Sequence, residues 1–300
     1  MSLTKFSVSD SSSFKLCPRQ FYYRKVLGWE PAETPDYLGL GIAYDKLLEI
    51  LDTRGPVAAA DAIPEVFPQE HDAADAEIIL MKYLSGVYKE DPLTPCLGGN
   101  QHGFGVETPS CRITGYIDKL HIRNIDEYVV VERKTTTEPI EERSAFWERL
   151  DLDPQIRSYV WYLRKRGLKA GWVCYEVIRK LNSAINPKLA KKREIPIDQY
   201  RSLLRSINLD KKTLVARKWF YVSEEMTNEF EIEQESVFEV FQRNMDKSKI
   251  AEEAGFDPEM LWPKHERSCD AYGGCPYAPI CKRQTTFASS QWVRKEGRYK

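Results

Sequence analysis

Residues Arg112–Thr137 read RITGYIDKLHIRNIDEYVVVERKTTT, and their hydrophobic pattern decides the fold. One apolar run ends at Asp118, polar residues at Asn124–Glu127 make a turn, and a second run, Tyr128–Val131, delivers Glu132, Arg133 and Lys134. The pattern predicts two strands joined by that turn. Alternate residues of a strand share a face, so Glu132 and Lys134 point one way and Arg133 the other. If the strands pair, Asp118 lies opposite them.

Two carboxylates and an ammonium converging on one patch suit metal-assisted hydrolysis of a phosphodiester. The acids hold Mg²⁺ or Mn²⁺ through oxygen, and the lysine orients a water or steadies the phosphate. By spacing alone, the commoner outcome for such residues is a solvated ion pair at a strand end.

Outward from the hairpin, helical and strand periods alternate. Ser7–Ser13 offers N-caps for a helix carrying Phe14, Cys17 and Phe21, which Pro18 breaks or restarts. Gly39–Asp52 reads as a helix with Ala43, Leu47, Ile50 and Leu51 in one stripe and Asp45 and Glu49 at i, i+4 beside it. Ala73–Lys89 is a packing helix, Pro92–Gln101 is turn-rich, and His102–Glu107 is the first strand of the sheet. Beyond the hairpin, Phe146 and Trp147 cover the core and Pro154 opens a helix to Arg166. Gly171–Arg179 is a strand, Ile197–Ile207 a helix, Leu214–Val222 a strand, and Ser223 caps a long helix. Crossover helices between strands predict an α/β core with a mixed sheet flanked by helices.

Cations and anions nearly balance, 44 Lys+Arg against 45 Asp+Glu in 300 residues, so contact with nucleic acid has to come from local patches rather than a global basic bias. Arg179–Arg193 is the one such run, with Arg179, Lys180, Lys188, Lys191, Lys192 and Arg193 and no acid. It is either a solvated loop or a phosphate-backbone clamp. The start of the chain has no apolar signal core and no run is long enough to span a bilayer, so the expectation is a soluble, cytoplasmic protein without a membrane partner. Seven cysteines, an odd number, argue against a disulfide framework and for metal or redox chemistry in a reducing compartment. Cys269, Cys275 and Cys281 follow one another at Cys-x5-Cys-x5-Cys spacing in a loop rich in Gly and Pro; three thiols there need a fourth ligand to close a cluster. Zinc with His265 competes, although structural zinc sites favour closer cysteine pairs.

Gly115-Tyr116-Ile117-Asp118 and Val129-Val130-Val131-Glu132-Arg133-Lys134-Thr135 resemble motifs II and III of the PD-(D/E)XK nucleases, specifically the RecB-type exonuclease branch. Other motifs of that branch recur in order. Gln155 and Tyr159 match its QxxxY motif, and Cys17-Pro18-Arg19-Gln20-Phe21-Tyr22-Tyr23 is similar to the CPRxFYY signature of its iron-sulfur members. Motif I departs from the pattern: four places after Gly41 stands Asp45 where the family has a histidine, with Glu49 as a substitute. A carboxylate is a competent ligand for a hard cation.

The resemblance implies a restriction-endonuclease-like core with Asp118, Glu132 and Asp45 as metal ligands. It adds the carbonyl of Arg133 as a further oxygen, Lys134 as the residue that positions water, and Gln155 and Tyr159 beside the site and the strand. It also implies a [4Fe-4S] cluster on Cys17, Cys269, Cys275 and Cys281. The expected organisation is an N-terminal helical region (1–100), a nuclease core (101–250) and a C-terminal iron-sulfur module (251–300) packed on the N-terminus. The implied activity is Mg²⁺- or Mn²⁺-dependent exonuclease action on single-stranded DNA or duplex ends, in recombination, repair, phage or CRISPR processing and beside a helicase or recombination partner. A decayed DNA-binding module and a structure-specific endonuclease are the alternatives.

Overall fold

The computed structural model describes residues 3–33, 36–88, 94–123, 125–270 and 274–299. Asn124 of the expected turn, Lys89 at the end of an expected helix, and positions 92 and 93 lie outside them. In chain order the elements are β1 (Lys5–Ser7), α1 (Val8–Leu16), α2 (Pro18–Phe21), β2 (Trp29–Pro31), α3 (Asp36–Val66), α4 (Glu70–Tyr83), β3 (Thr94–Glu107), β4 (Arg112–Arg123) and β5 (Glu127–Thr136). There follow α5 (Ala145–Leu150), α6 (Pro154–Lys165), β6 (Lys169–Arg179), α7 (Ile197–Ser206), β7 (Val215–Tyr221), α8 (Glu224–Glu253), α9 (Ala278–Cys281) and β8 (Trp292–Arg294).

The hairpin forms as its pattern demands. β4 and β5 pair antiparallel from Arg123 opposite Glu127 to Lys119 opposite Val131. β6 joins β5 in parallel, with Glu132 beside Tyr175 and Lys134 beside Val177, and β7 closes antiparallel on β6 with Arg217 beside Glu176. The sheet is therefore mixed. Val173, Cys174, Tyr175 and Val177 are all fully buried, as a strand covered on both faces requires. Hydrogen bonds show what covers each face. Gln155 of α6 meets Lys134 on the face of Glu132 and Tyr175, whereas Asp52 of α3 and Tyr83 of α4 meet Arg133 and Glu176 on the other. This is the expected α/β architecture, a mixed sheet flanked by helices.

Three local features differ from expectation. The helix predicted from Gly39 to Asp52 continues to Val66, interrupted only at Gly55, whose φ of +85° lies in the region that glycine adopts without strain; Pro56 then starts the second half where its missing N–H costs nothing. The stretch read as turn-rich is strand from Thr94 onward, because pairing with β4 overrides its glycines. β1 was not anticipated. It runs parallel to the start of β4 and hands over at Ser7, whose hydroxyl accepts the Asp10 N–H at 3.1 Å while the Asp10 carboxylate accepts the Ser7 N–H at 3.3 Å, a reciprocal cap that starts α1.

Packing divides the chain into two units. Pro35–His102 and Tyr116–Ser223 form the one just described, with a second apolar core in which α3, α4 and α7 bury Leu47, Leu51, Ile79, Leu80 and Tyr200. The other comprises Met1–Thr34, Gly103–Gly115 and Glu224–Lys300, which brings both ends of the chain into one body. Its core is aromatic. Phe6 stacks on Phe241 with ring centroids 5.3 Å apart, Phe14 meets Phe21 edge-on at 5.6 Å, and Tyr22 stacks on Trp262 at 4.9 Å. Buried Arg19 donates to the Trp262 carbonyl at 2.6 Å, and Tyr299 to buried Asp10 at 2.7 Å, so both termini are tied by buried polar bonds. No helix among the described residues is long and apolar enough to cross a membrane.

Candidate active site

The site is built where the β4–β5 ladder stops. Asp118 and Glu132 are the next residues after the Lys119–Val131 pair, and the Asp118 carboxylate accepts the Arg133 backbone N–H at 3.1 Å. Glu132 is 1 % exposed. Its Oε1 lies 2.7 Å from Lys134 Nζ, while its Oε2 is buried and accepts from no donor among the described residues. Burial pushes its pKa up to about 8; the Lys134 ammonium opposes this, and the neighbouring Asp118 and Asp153 charges add to it. Burial works against the Lys134 ammonium as well, yet Glu132 and Asp153 outweigh it and hold the amine above its ordinary value. Lys134 is thus a firmly protonated donor.

Helix α6 supplies the rest of that face. Asp153 caps its first turn, accepting the Gln155 N–H at 2.8 Å, and its other oxygen lies 3.4 Å from Lys134 Nζ and accepts the Tyr175 hydroxyl at 3.2 Å. Lys134 also donates to Gln155 Oε1 at 2.6 Å, which turns the amide NH₂ toward the Tyr159 hydroxyl, 2.5 Å away. Glu132, Lys134, Gln155 and Tyr159 therefore form one chain of contacts.

Asp45 reaches the site from α3. It is half-buried, and its carboxyl is raised by burial and by Asp118, against the pull of Arg133. Glu49, one turn on, is exposed. Behind the sheet lies a second set of charges that the sequence reading missed. Arg133 pairs with Asp52 and, at 3.3 Å, with Glu176; Lys119 donates to Asp52 at 3.0 Å; and Glu176 also accepts from Tyr83 at 2.8 Å and from Arg217 at 3.1 Å. Despite burial, which alone would raise it, the Glu176 carboxyl is lowered to about 2 by Lys119, Arg133 and Arg217. One signal was available: Glu176 is the lone acid of an apolar strand, and a buried acid needs partners. Asp153, immediately before Pro154, carried the mark of a helix cap.

Among the described residues, no three His, Cys, Asp or Glu side chains stand close enough to hold an ion as they are. Lys134 engages Glu132, and the Arg133 N–H engages Asp118. The donor chemistry nevertheless fits a hard divalent cation: Asp45 and Glu132 each feel the charge of Asp118, and Glu132 keeps a buried oxygen that lacks a donor among the described residues.

The structure divides the six cations of the basic run. Lys188 and Lys191 are exposed, Lys191 lying 3.5 Å from Glu194. Arg193 is exposed beside Asp72, and Lys180 is half-buried, its pKa lowered by that burial. Arg179 is buried against Glu141, and Lys192 sits between Asp72 and Asp75 at 2.6 Å from each.

In the other unit, Cys17 is buried between α1 and α2, and Cys17, Cys269, Cys275 and Cys281 are all free thiols. The Cys269 carbonyl accepts the Cys275 N–H at 2.7 Å. Burial raises the Cys275 thiol, and Cys17, Cys269 and Cys281 each oppose its ionisation further, which puts all three within electrostatic range of Cys275; among the described residues they do not form a closed ligand set. The His265 Nδ1 contacts the Lys15 and Leu16 carbonyls, both at 3.1 Å.

No curated protein matches the sequence. Among solved structures, the chain is similar to a candidate exonuclease from Eubacterium rectale, at 14% identity over 97% of this chain and 89% of that one with a TM-score of 0.49. It is also similar to the protein SSO0001, at 17% identity over 63% of this chain and 74% of that one with a TM-score of 0.25. Neither likeness is strong enough to speak for this chain's chemistry. The family model for the PD-(D/E)XK nuclease superfamily matches residues 5–282, a span that takes in both units and every residue of the site, and the chain belongs to that superfamily.

Proposed function

We propose that this nuclease is a Mg²⁺- or Mn²⁺-dependent DNA exonuclease of the RecB-type branch, acting on single strands or duplex ends. The observation that carries the reading is the chain of contacts from Glu132 through Lys134 and Gln155 to Tyr159, with Asp118 held on the Arg133 peptide beside it, next to a buried Glu132 oxygen that no donor among the described residues satisfies. Asp118, Glu132, Asp45 and the Arg133 carbonyl would hold the cation. When bound, it supplies charge neutralisation at the scissile phosphate and a more acidic water. Lys134, kept protonated, donates to the attacking water or to a phosphoryl oxygen as negative charge develops there. Gln155 aims the ammonium, and Tyr159 fixes the amide that does so. Lys188, Lys191 and Arg193, the exposed cations of the basic run, track the phosphate backbone.

For the second unit, the reading is a [4Fe-4S] cluster on Cys17, Cys269, Cys275 and Cys281, joining the two ends of the chain. It is supported by the electrostatic influence that Cys17, Cys269 and Cys281 all exert on Cys275. A broad visible absorption band in anaerobically purified protein, lost in Cys17→Ala, supports the cluster; a colourless protein that carries stoichiometric zinc replaces it.

The decisive assay incubates end-labelled linear single strands, blunt duplexes and circular single strands with Mn²⁺, with Lys134→Ala as control. Stepwise shortening of the linear substrates alone supports the exonuclease. Cleavage of the circle makes the protein an endonuclease, and binding without cleavage of any substrate leaves only a DNA-binding module.

A further inference from the structure

We propose that Asp52 is the positioning residue that holds the three carriers of the site, α3, β4 and β5, in register. The proposal rests on the metal reading of the front-face carboxylates. Asp52 follows Asp45 by seven residues on α3, two turns along the same helix face, a rise of about 10 Å. Its Oδ1 accepts from Lys119 Nζ at 3.0 Å, and its Oδ2 accepts from the Arg133 guanidinium. Lys119 adjoins Asp118, and Arg133 stands between Glu132 and Lys134. One carboxylate therefore grips the immediate neighbour of every acid proposed to hold the cation on the two strands, and does so from the helix that carries the remaining one.

The geometry separates this role from catalysis. Side chains alternate along a strand, so Lys119 and Arg133 leave the sheet on the face opposite Asp118, Glu132 and Lys134. Asp52 meets them behind the sheet and works through the backbone. The Arg133 peptide is the point of leverage: its N–H fixes the Asp118 carboxylate, its carbonyl is a proposed ligand, and its side chain is anchored from behind. The side chains of Lys119, Arg133 and Asp52 are only 5%, 8% and 11% exposed, which leaves this contact little screened by solvent.

The competing role is a buried ion pair that serves stability alone, and Glu176 provides the comparison. It also holds Arg133, but from β6 rather than from α3, and its other guanidinium partner is Arg217 of β7. Titration of MnCl₂ into the full-length protein by calorimetry, with a thermal melt of each sample, is run on wild type, Asp52→Asn, Asp52→Glu and Glu176→Gln. The expected result is that Asp52→Asn weakens Mn²⁺ binding by about tenfold or more. Asp52→Glu recovers part of the loss, and Glu176→Gln lowers the melting temperature at least as much while weakening Mn²⁺ less. Added Mn²⁺ restores cleavage by Asp52→Asn. If affinity falls in step with melting temperature in both variants, or Asp52→Asn binds as wild type does, the positioning role is gone. Should Asp52→Asn not fold, Lys119→Gln cuts the same link at β4 and carries the same expectation and the same risk. Wild type that takes up no Mn²⁺ ends the metal reading itself, whereas wild-type uptake with an unchanged Asp52→Asn ends only this proposal.

Discussion

Glu132 and Glu176 lie on adjacent strands, are 1% and 2% exposed, and have opposite electrostatic fates. Glu132 is pushed up to about 8 and Glu176 is held down at about 2. Burial is the largest influence on both and favours protonation in each case, so it does not separate them. The difference lies in counter-charge. Glu132 has Lys134 for itself, Asp118 and Asp153 together, and one of its oxygens has no donor among the described residues; Glu176 is surrounded by Lys119, Arg133 and Arg217. The back of the sheet is a compensated network that holds the fold, and the front is left short of positive charge. A buried carboxyl left short of counter-charge beside a compensated network is the expected signature of function.

That contrast can be broken most directly through the ammonium. Lys134→Ala is expected to lower the cleavage rate by roughly 10²–10⁴-fold while leaving the far-ultraviolet circular dichroism unchanged; a variant that cuts at the wild-type rate would remove Lys134 from the chemistry. Next in size is Glu176→Gln, which leaves Arg133 and Arg217 under-compensated and should destabilise the fold by about 3–5 kcal/mol in chemical denaturation. The same residue predicts acid sensitivity. Its folded pKa lies below the ordinary 4.5, so its stabilisation is complete above that value and is lost as pH falls from about 4.5 toward about 2. The variant should lack that part of the acid transition, and an identical acid limb in both proteins would contradict the assignment.

Glu132→Gln should do the reverse of Glu176→Gln. A carboxyl raised to about 8 must take up a proton to be buried at neutral pH, so an amide that needs none is expected to raise stability there by on the order of 1 kcal/mol while abolishing cleavage, and a drop in melting temperature would show that the front face is as well compensated as the back. The smallest effect is expected from Lys188→Ala with Lys191→Ala. The double variant should leave stability within about 0.5 kcal/mol and make the dependence of single-strand affinity on salt shallower by roughly 0.7 per lost phosphate contact. An unchanged slope would return that run to being a solvated surface.

Legibility in the sequence followed the range of the interactions. Asp118, Glu132, Lys134, Gln155 and Tyr159 stood out through short motifs that resemble those of the nuclease family, since spacing alone suggests only a surface ion pair and a core aromatic; in the fold, contacts link Glu132, Lys134, Gln155 and Tyr159 in a chain, and Asp118 bonds to the Arg133 peptide between Glu132 and Lys134. Phe146 and Trp147 were expected to cover the core, and both are buried. Asp52 carries no mark in the sequence beyond ending the Gly39–Asp52 stretch, because the cations it grips lie 67 and 81 residues away. β1, only three residues long, has no period of its own and exists through pairing with β4.

The strand–turn–strand unit, the helical stripe within Gly39–Asp52 and the shared face of Glu132 and Lys134 are legible along the chain, because alternation and helical spacing are local properties. Folding in three dimensions set which buried carboxyl would be compensated and which left wanting, and that Arg179 and Lys192 would be paired with acids while Lys188 stays exposed. Those outcomes depend on counter-charges brought together from distant segments by burial of the apolar faces, and charges at the few-ångström range of an ion pair outweigh anything encoded by neighbours along the chain.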